Sequence, residues 1–359
     1  MNVTFLIGNG FDVHLGLKSK FADFYDEYIK LNSNYNHPII EKFCCYLKAD
    51  KAAHGCYENW SDFETAFPKY VNNSEEVIVI LNDFSQKFFS YLSKIDYKND
   101  RVSRIIVDEF KEFLFEGYRN AIIPQDINNI DHFFASGENF NFNFVNFNYT
   151  HLLNSLILSF NNYLRENKVN ELSVQLSEFH IHGSLDESII IGIDNIGQLP
   201  LKCRSESDIE QYCVKKSTNN LIGNGIEEKF ENIINESQLV IAYGMSFGDS
   251  DLSRWTVLRK WLLADKNNSI IVYMYKPKFP INHRAYFPIF LKEFNDLKSD
   301  FLINKLHMPI NVIDAQLLNR VMLVDSDTVL NFDLIKENNV VSPINVAEED
   351  EPHLVYPLS

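Results

Sequence analysis

His180-Ile181-His182-Gly183-Ser184 closes an extended run with an imidazole followed at once by a glycine. A histidine so placed can take or relay a proton near neutral pH, and His182 is the expected general base. Strand alternation sends Ile181 to the opposite layer and puts His180 on the face of His182. Two strand histidines that only satisfy local hydrogen bonds are the equally weighted alternative. Asn146-Phe147-Asn148-Tyr149-Thr150 ends a second strand, so Asn148 should bring an amide to the same sheet edge. Asn148 or Thr150 can also cap the helix that starts near His151. Residues 8–12, Gly-Asn-Gly-Phe-Asp, follow the first apolar run, where glycines let backbone amides approach a pyrophosphate. The third glycine of Rossmann spacing is missing, so a tight turn capped by Asp12 explains these residues as well.

Residues 244–251, Gly-Met-Ser-Phe-Gly-Asp-Ser-Asp, form another glycine turn, either a second wall for a nucleotide or a helix entry capped by Ser250 or Asp251. In Trp60-Ser61-Asp62-Phe63-Glu64 the two carboxylates, two apart, do not share a helical face, which predicts a structural helix start. Near the two histidines no Cys or carboxylate has compact ligand spacing, so no metal is expected.

The elements that must position these residues alternate. Strands are predicted over 3–7, 139–148, 174–181, 188–193, 238–243 and 269–275, and helices over 151–164, 227–235 and 251–264. This pattern predicts an α/β fold with a doubly wound, mostly parallel Rossmann-like sheet, whose ligands bind at the C-terminal strand edge. Residues 21–119 switch to helical period and form a helical insertion lobe. Its aromatic residues, among them Phe63, Phe67, Phe84, Phe88, Phe89, Phe110, Phe113 and Phe115, exceed what one solvated helix buries. The division expected is a core of 1–20 and 120–335, the lobe 21–119, and an acidic C-terminal tail over 336–359 without periodicity.

The chain has 359 residues, beyond the size at which one simple core stops growing. Its 29 Phe and 17 Tyr rule out a disordered or low-complexity chain. A formal charge of −16 disfavours binding of duplex nucleic acid. Five cysteines without a C-x-x-C pair indicate neither a disulfide framework nor a zinc ribbon, and fit a reducing compartment. The apolar run 3–7 is too short for a signal-peptide core and no segment supplies a membrane span, so a cytoplasmic protein without membrane contact is expected.

Taken in order, IGNGFD, FNYT, HIHG, IIIGID and AYGMSFGDSD resemble the bacteriophage abortive-infection AbiH family, with WSDFE marking the insertion. The same succession looks like a diverged sirtuin-like NAD-binding domain. By that resemblance Gly8 and Gly10 would line the cofactor phosphates, Asn148 would hold the nicotinamide ribose or a water, and His182 would be the catalytic base. Gly244 and Ser246 would contact the nucleotide, and Asn9, Phe11, Asp12, Thr150, Gly183 and Asp194 complete the binding set. Thr150 stands where the sirtuin pattern has an Asp, Asp12 replaces its serine, and the stretch after Gly183 leaves no room for a four-cysteine zinc module.

The implied activity is hydrolysis of NAD to ADP-ribose and nicotinamide in defence against phage. A cationic pyridinium leaves as a neutral ring while oxocarbenium character develops at the ribose, so a base and a placed water suffice. Two alternatives remain: a non-catalytic nucleotide or ADP-ribose sensor, and a metal-dependent nuclease or other phosphodiester hydrolase using Asp12, Asp194, Asp249 and Asp251. A phage-derived trigger, a partner defence subunit and a homo-oligomer are left open as partners.

Overall fold

The computed structural model describes residues 1–33, 37–98, 102–120, 124–135, 139–166, 173–204, 208–223, 225–275 and 287–331. The expected tail over 336–359 lies outside the described residues. Six strands, β1 (Asn2–Ile7), β2 (Asn139–Asn146), β3 (Ser173–His180), β4 (Leu239–Tyr243), β5 (Ser269–Met274) and β6 (Val321–Asp325), form one sheet. All neighbours are parallel, in the order β3-β2-β1-β4-β5-β6. That is the order of doubly wound dinucleotide folds, with the topological switch between β1 and β4. Ile7 pairs with both Asn146 and Tyr243, and Asn146 with His180. Four strands therefore end level, and the residues after them emerge along one edge.

Side-chain alternation builds the layers. Phe140, Phe142 and Phe144 point to one face of β2 and pack with Phe5 beneath the helices Arg104–Phe115 and Leu152–Glu166. Phe5 stacks on Phe144 at 4.8 Å and meets Phe142 edge-on, a preferred aromatic geometry. On the opposite face Leu6, Val145, Val240, Val272 and Leu323 pack with the helices Ile226–Glu236 and Leu252–Ala264. Burial on both sides is why β1, β4 and β5 read as continuous apolar runs.

A separate cluster holds Phe24, Tyr28, Phe43, Trp60, Phe63, Phe67, Phe84 and Phe88, with Phe63 and Phe84 stacked 3.9 Å apart. Phe110 and Phe113 belong instead to the sheet core, Phe115 packs against that core, and Phe89 is half-buried. The predicted strand over 188–193 joins no sheet. Gly183, at φ 76°, turns the chain away from the sheet, leaving isolated bridges between Gly183 and Ile189 and between Ile193 and Val214. The apolar residues Ile191 and Ile193 are buried against the helical cluster instead. β6, which the periodicity did not single out, completes the sheet.

Candidate functional site

A cleft of about 900 Å³ runs along the C-terminal edge of the sheet, near the upper end of volumes common for small-ligand sites. Residues at or just beyond the end of every strand line it, among them Gly8, Asn148, His182, Gly244, Tyr275 and Ser326. Its far wall comes from the helical lobe through Phe21, Ser61, Asp62, Glu64 and Phe88. The cleft thus crosses the switch point, with β2 and β3 to one side of β1 and β4 to the other.

The three turns that carry the motifs are locked together. Gly8 N–H donates to Tyr243 O and Gly10 N–H to Gly244 O, both at 2.9 Å, while Phe11 N–H donates to Gly8 O. A Cβ on Gly10 would lie 2.6 Å from Gly244 Cα, and one on Gly244, at φ 67°, would lie 2.3 Å from Phe11 N. Close contact between the β1 and β4 turns therefore requires these glycines. The amides of Gly8 and Gly10 are already bonded, so their expected part in a phosphate cradle loses its two donors. Asn9 and Ser246 remain on the cleft wall, with Asn9 tied to Ser19 Oγ. Phe11 is fully buried in the sheet core.

Asp12 lies in the first turn of the helix Asn9–His14 with its carboxylate buried. It accepts from Asn148 Nδ2 at 3.0 Å and from Thr150 Oγ1. Burial pushes its pKa up to about 7, opposed by those two hydrogen bonds and helped by the charges of Asp96 and Glu178. Asn146 shapes the turn that presents Asn148: its Oδ1 accepts Asn148 N–H at 2.9 Å and its Nδ2 donates to Glu178 at 2.8 Å. His180 Nδ1 donates to Asn148 O at 2.7 Å, so this histidine positions the turn. Asn148 Nδ2 also reaches Gly8 O, whereas its Oδ1 is buried without a partner.

His182 follows β3 and is 4% exposed. Its ring lies 5.6 Å from that of Phe147, and among the described residues neither nitrogen has a hydrogen-bond partner of good geometry. Nε2 is 3.1 Å from Asp251 Oδ1, within reach but off the hydrogen-bonding direction. Burial first, then the positive charges of Lys215 and Arg254 against the pull of Asp251, lower its pKa to about 3. The imidazole is therefore neutral at ordinary pH. Gly183, whose Cβ would fall 1.8 Å from Ser188 O, serves the turn rather than the cleft wall.

Beside His182 is a buried charge network that the motifs only partly signalled. Asp251 Oδ1 meets Lys215 Nζ at 3.1 Å and Arg254 Nη1 at 2.6 Å, and Arg254 Nη2 continues to Glu227 at 2.6 Å. Lys215 Nζ is also 2.9 Å from Glu64 Oε2, whose other oxygen accepts Gly192 N–H at 2.9 Å. Burial would lower the Lys215 pKa, but Asp251 and Glu64 more than offset it, and the ammonium stays charged. Burial opposes ionisation of Asp251 too, yet the charges of Lys215 and Arg254 hold its pKa well below the usual carboxylate range. Burial raises that of Glu64.

Asp62 is the N-cap of the short helix Phe63–Ala66 rather than a residue within it, which is how both carboxylates of the WSDFE segment come to line the cleft. Trp60 is buried in the lobe. Asp194 accepts from Ser253 N–H at 2.8 Å and from its hydroxyl, and so fastens the entry of the helix Leu252–Ala264. Asp249 is exposed near His307. Among the described residues no three His, Cys, Asp or Glu side chains cluster as metal ligands, so Asp12, Asp194, Asp249 and Asp251 do not form one centre. Lys215, Arg254 and Glu64 were missed as a unit, because nothing in their spacing shows that the helix Lys215–Ile222 after β3, a helix after β4 and the lobe meet.

No helix among the described residues is long and apolar enough to cross a membrane. No curated protein matches the chain. The family model described as Bacteriophage abortive infection AbiH matches residues 4–275, which span the glycine turns, Asn148, His182 and the lobe that walls the cleft. The chain belongs to that abortive-infection family, and its role is anti-phage defence.

Proposed function

We propose that the cleft takes NAD and hydrolyses its nicotinamide ribosyl bond in the cytoplasm of the infected cell, releasing ADP-ribose and nicotinamide. One observation carries the reading: among the described residues, Asn148 Oδ1 and His182 Nδ1 are buried, unpartnered and on residues of one cleft at the switch point of a dinucleotide-type sheet. Orphaned polar atoms are rare in folded proteins, and a ribose hydroxyl or a water would satisfy these. Asn148 would orient the ribose or the attacking water, and neutral His182 would accept a proton. Supporting the sirtuin-like comparison, the two departures from its pattern fall on partners: Thr150 donates to Asp12, so a hydroxyl and a carboxylate stay paired with their positions exchanged.

The purified protein, supplied with an extract of phage-infected cells as the trigger, is expected to consume NAD. Asn148→Ala and His182→Ala should each lower turnover by about 10²- to 10⁴-fold. Undiminished turnover in both variants would overturn the assignment. The hydrogen bonds that Asn148 Nδ2 already gives to Asp12 and Gly8 O favour a second reading, a nucleotide sensor without turnover. Saturable heat on titration with ADP-ribose, with no nicotinamide released from NAD under any trigger, would select it.

A further inference from the structure

The proposed use of His182 as a base leaves open which nitrogen takes the proton and what fixes its tautomer. Nδ1 and Nε2 are not equivalent. Asp251 Oδ1 lies 3.1 Å from Nε2, and among the described residues no other acidic side chain forms an ion pair with this ring. The carboxylate is itself fixed from two further directions, by Lys215 Nζ at 3.1 Å and Arg254 Nη1 at 2.6 Å. Lys215 is in turn pinned by Glu64 of the lobe, at 2.9 Å. A buried carboxylate held by two cations cannot swing away without breaking both ion pairs. The ring also meets the apolar ring of Phe147 at 5.6 Å.

Resting on that reading, we propose that Asp251 is the positioning residue of His182: it holds the ring as the Nε2–H tautomer and leaves the Nδ1 lone pair to accept the proton. Glu64, acting through Lys215, ties this pairing to the helical lobe. In the step, an O–H bond of water breaks as Nδ1–H forms, the water oxygen bonds to ribose C1′, and the electron pair of the C1′–N bond leaves with nicotinamide, which departs neutral. The imidazolium then faces the Asp251 carboxylate, which stabilises it without itself taking the proton. The charged groups around the ring are Asp251 and, behind it, Lys215 and Arg254, with Glu64 beyond Lys215.

The test is nitrogen NMR of the full chain labelled in histidine, with the His182 signals identified by their loss in His182→Gln. The wild type should show a protonated Nε2 and a bare Nδ1 at pH 7. Asp251→Asn, whose amide can donate to Nε2, should move the proton to Nδ1. The same variant should lower kcat for NAD by about 10²- to 10⁴-fold with little change in KM. Should it fail to fold, Asp251→Glu keeps the charge, displaces the carboxylate by one methylene and should perturb the same signals. A bare Nε2 in the wild type, an unaltered tautomer in Asp251→Asn, or unmoved His182 signals in Asp251→Glu overturns the proposal. A tautomer switch in a protein that never consumes NAD upholds the pairing and overturns the NAD reading instead.

Discussion

At the residue scale, burial decides the chemistry. His182 is in a site dry enough to lower its pKa from 6.5 to about 3, whereas Asp12 is raised from 3.8 to about 7. The linkage signs are opposite. Between pH 6.5 and 3 the unfolded chain binds a proton at His182 that the folded chain does not, so His182 removes stability as pH falls through this window. Asp12 holds a proton in the folded state that the unfolded chain releases above about pH 4, so it removes stability as pH rises towards 7. On acidification from pH 7 to pH 4, His182→Gln is expected to lose less stability than the wild type, by on the order of a few kcal/mol. Urea midpoints across that range measure it, and parallel losses in the two proteins would contradict the buried neutral imidazole.

At the scale of elements, the site depends on turns that interlock. Gly244→Ala combines a Cβ 2.3 Å from Phe11 N with a left-handed backbone, so it should destabilise by about 2 kcal/mol or more. A thermal melt within the range of an ordinary surface substitution would show that the two turns can separate freely. For the buried pair, Lys215→Met alone leaves Glu64 without its cation and Asp251 with Arg254 alone, and should cost about 3–5 kcal/mol. Adding Glu64→Gln should recover part of that loss, and additive losses in chemical denaturation would show that the two do not act as a unit. The parallel sheet and the common edge of Asn148 and His182 were legible because apolar runs ending in Gly, Asn or His carry their own signal. The same signal misled at 188–193, where an apolar run packs on the helical lobe instead of joining the sheet. It missed β6, and it could not show that the glycine turns use their amides on each other. Nor could spacing reveal Lys215, whose importance arises only when the lobe and the β4 turn meet around it.

At the scale of the whole molecule, a helical cluster closes one side of a cleft whose other side is the C-terminal edge of the sheet. Phe21, Asp62 and Glu64 on the lobe side face the turns that carry Asp12, Asn148 and His182. Ligand bound between them should therefore slow hydrogen exchange on both sides at once. Saturation with NAD is expected to protect amides across 8–28 and 60–70, and an unchanged exchange pattern there would argue against a lobe that contacts ligand. The most direct measurement is the fate of NAD in cells expressing this chain and infected by a phage that it aborts. Mass spectrometry should find NAD falling, with ADP-ribose and nicotinamide accumulating in step, in cells carrying the wild type but not Asn148→Ala or His182→Ala. Aborted infection with an undiminished NAD pool would contradict the account.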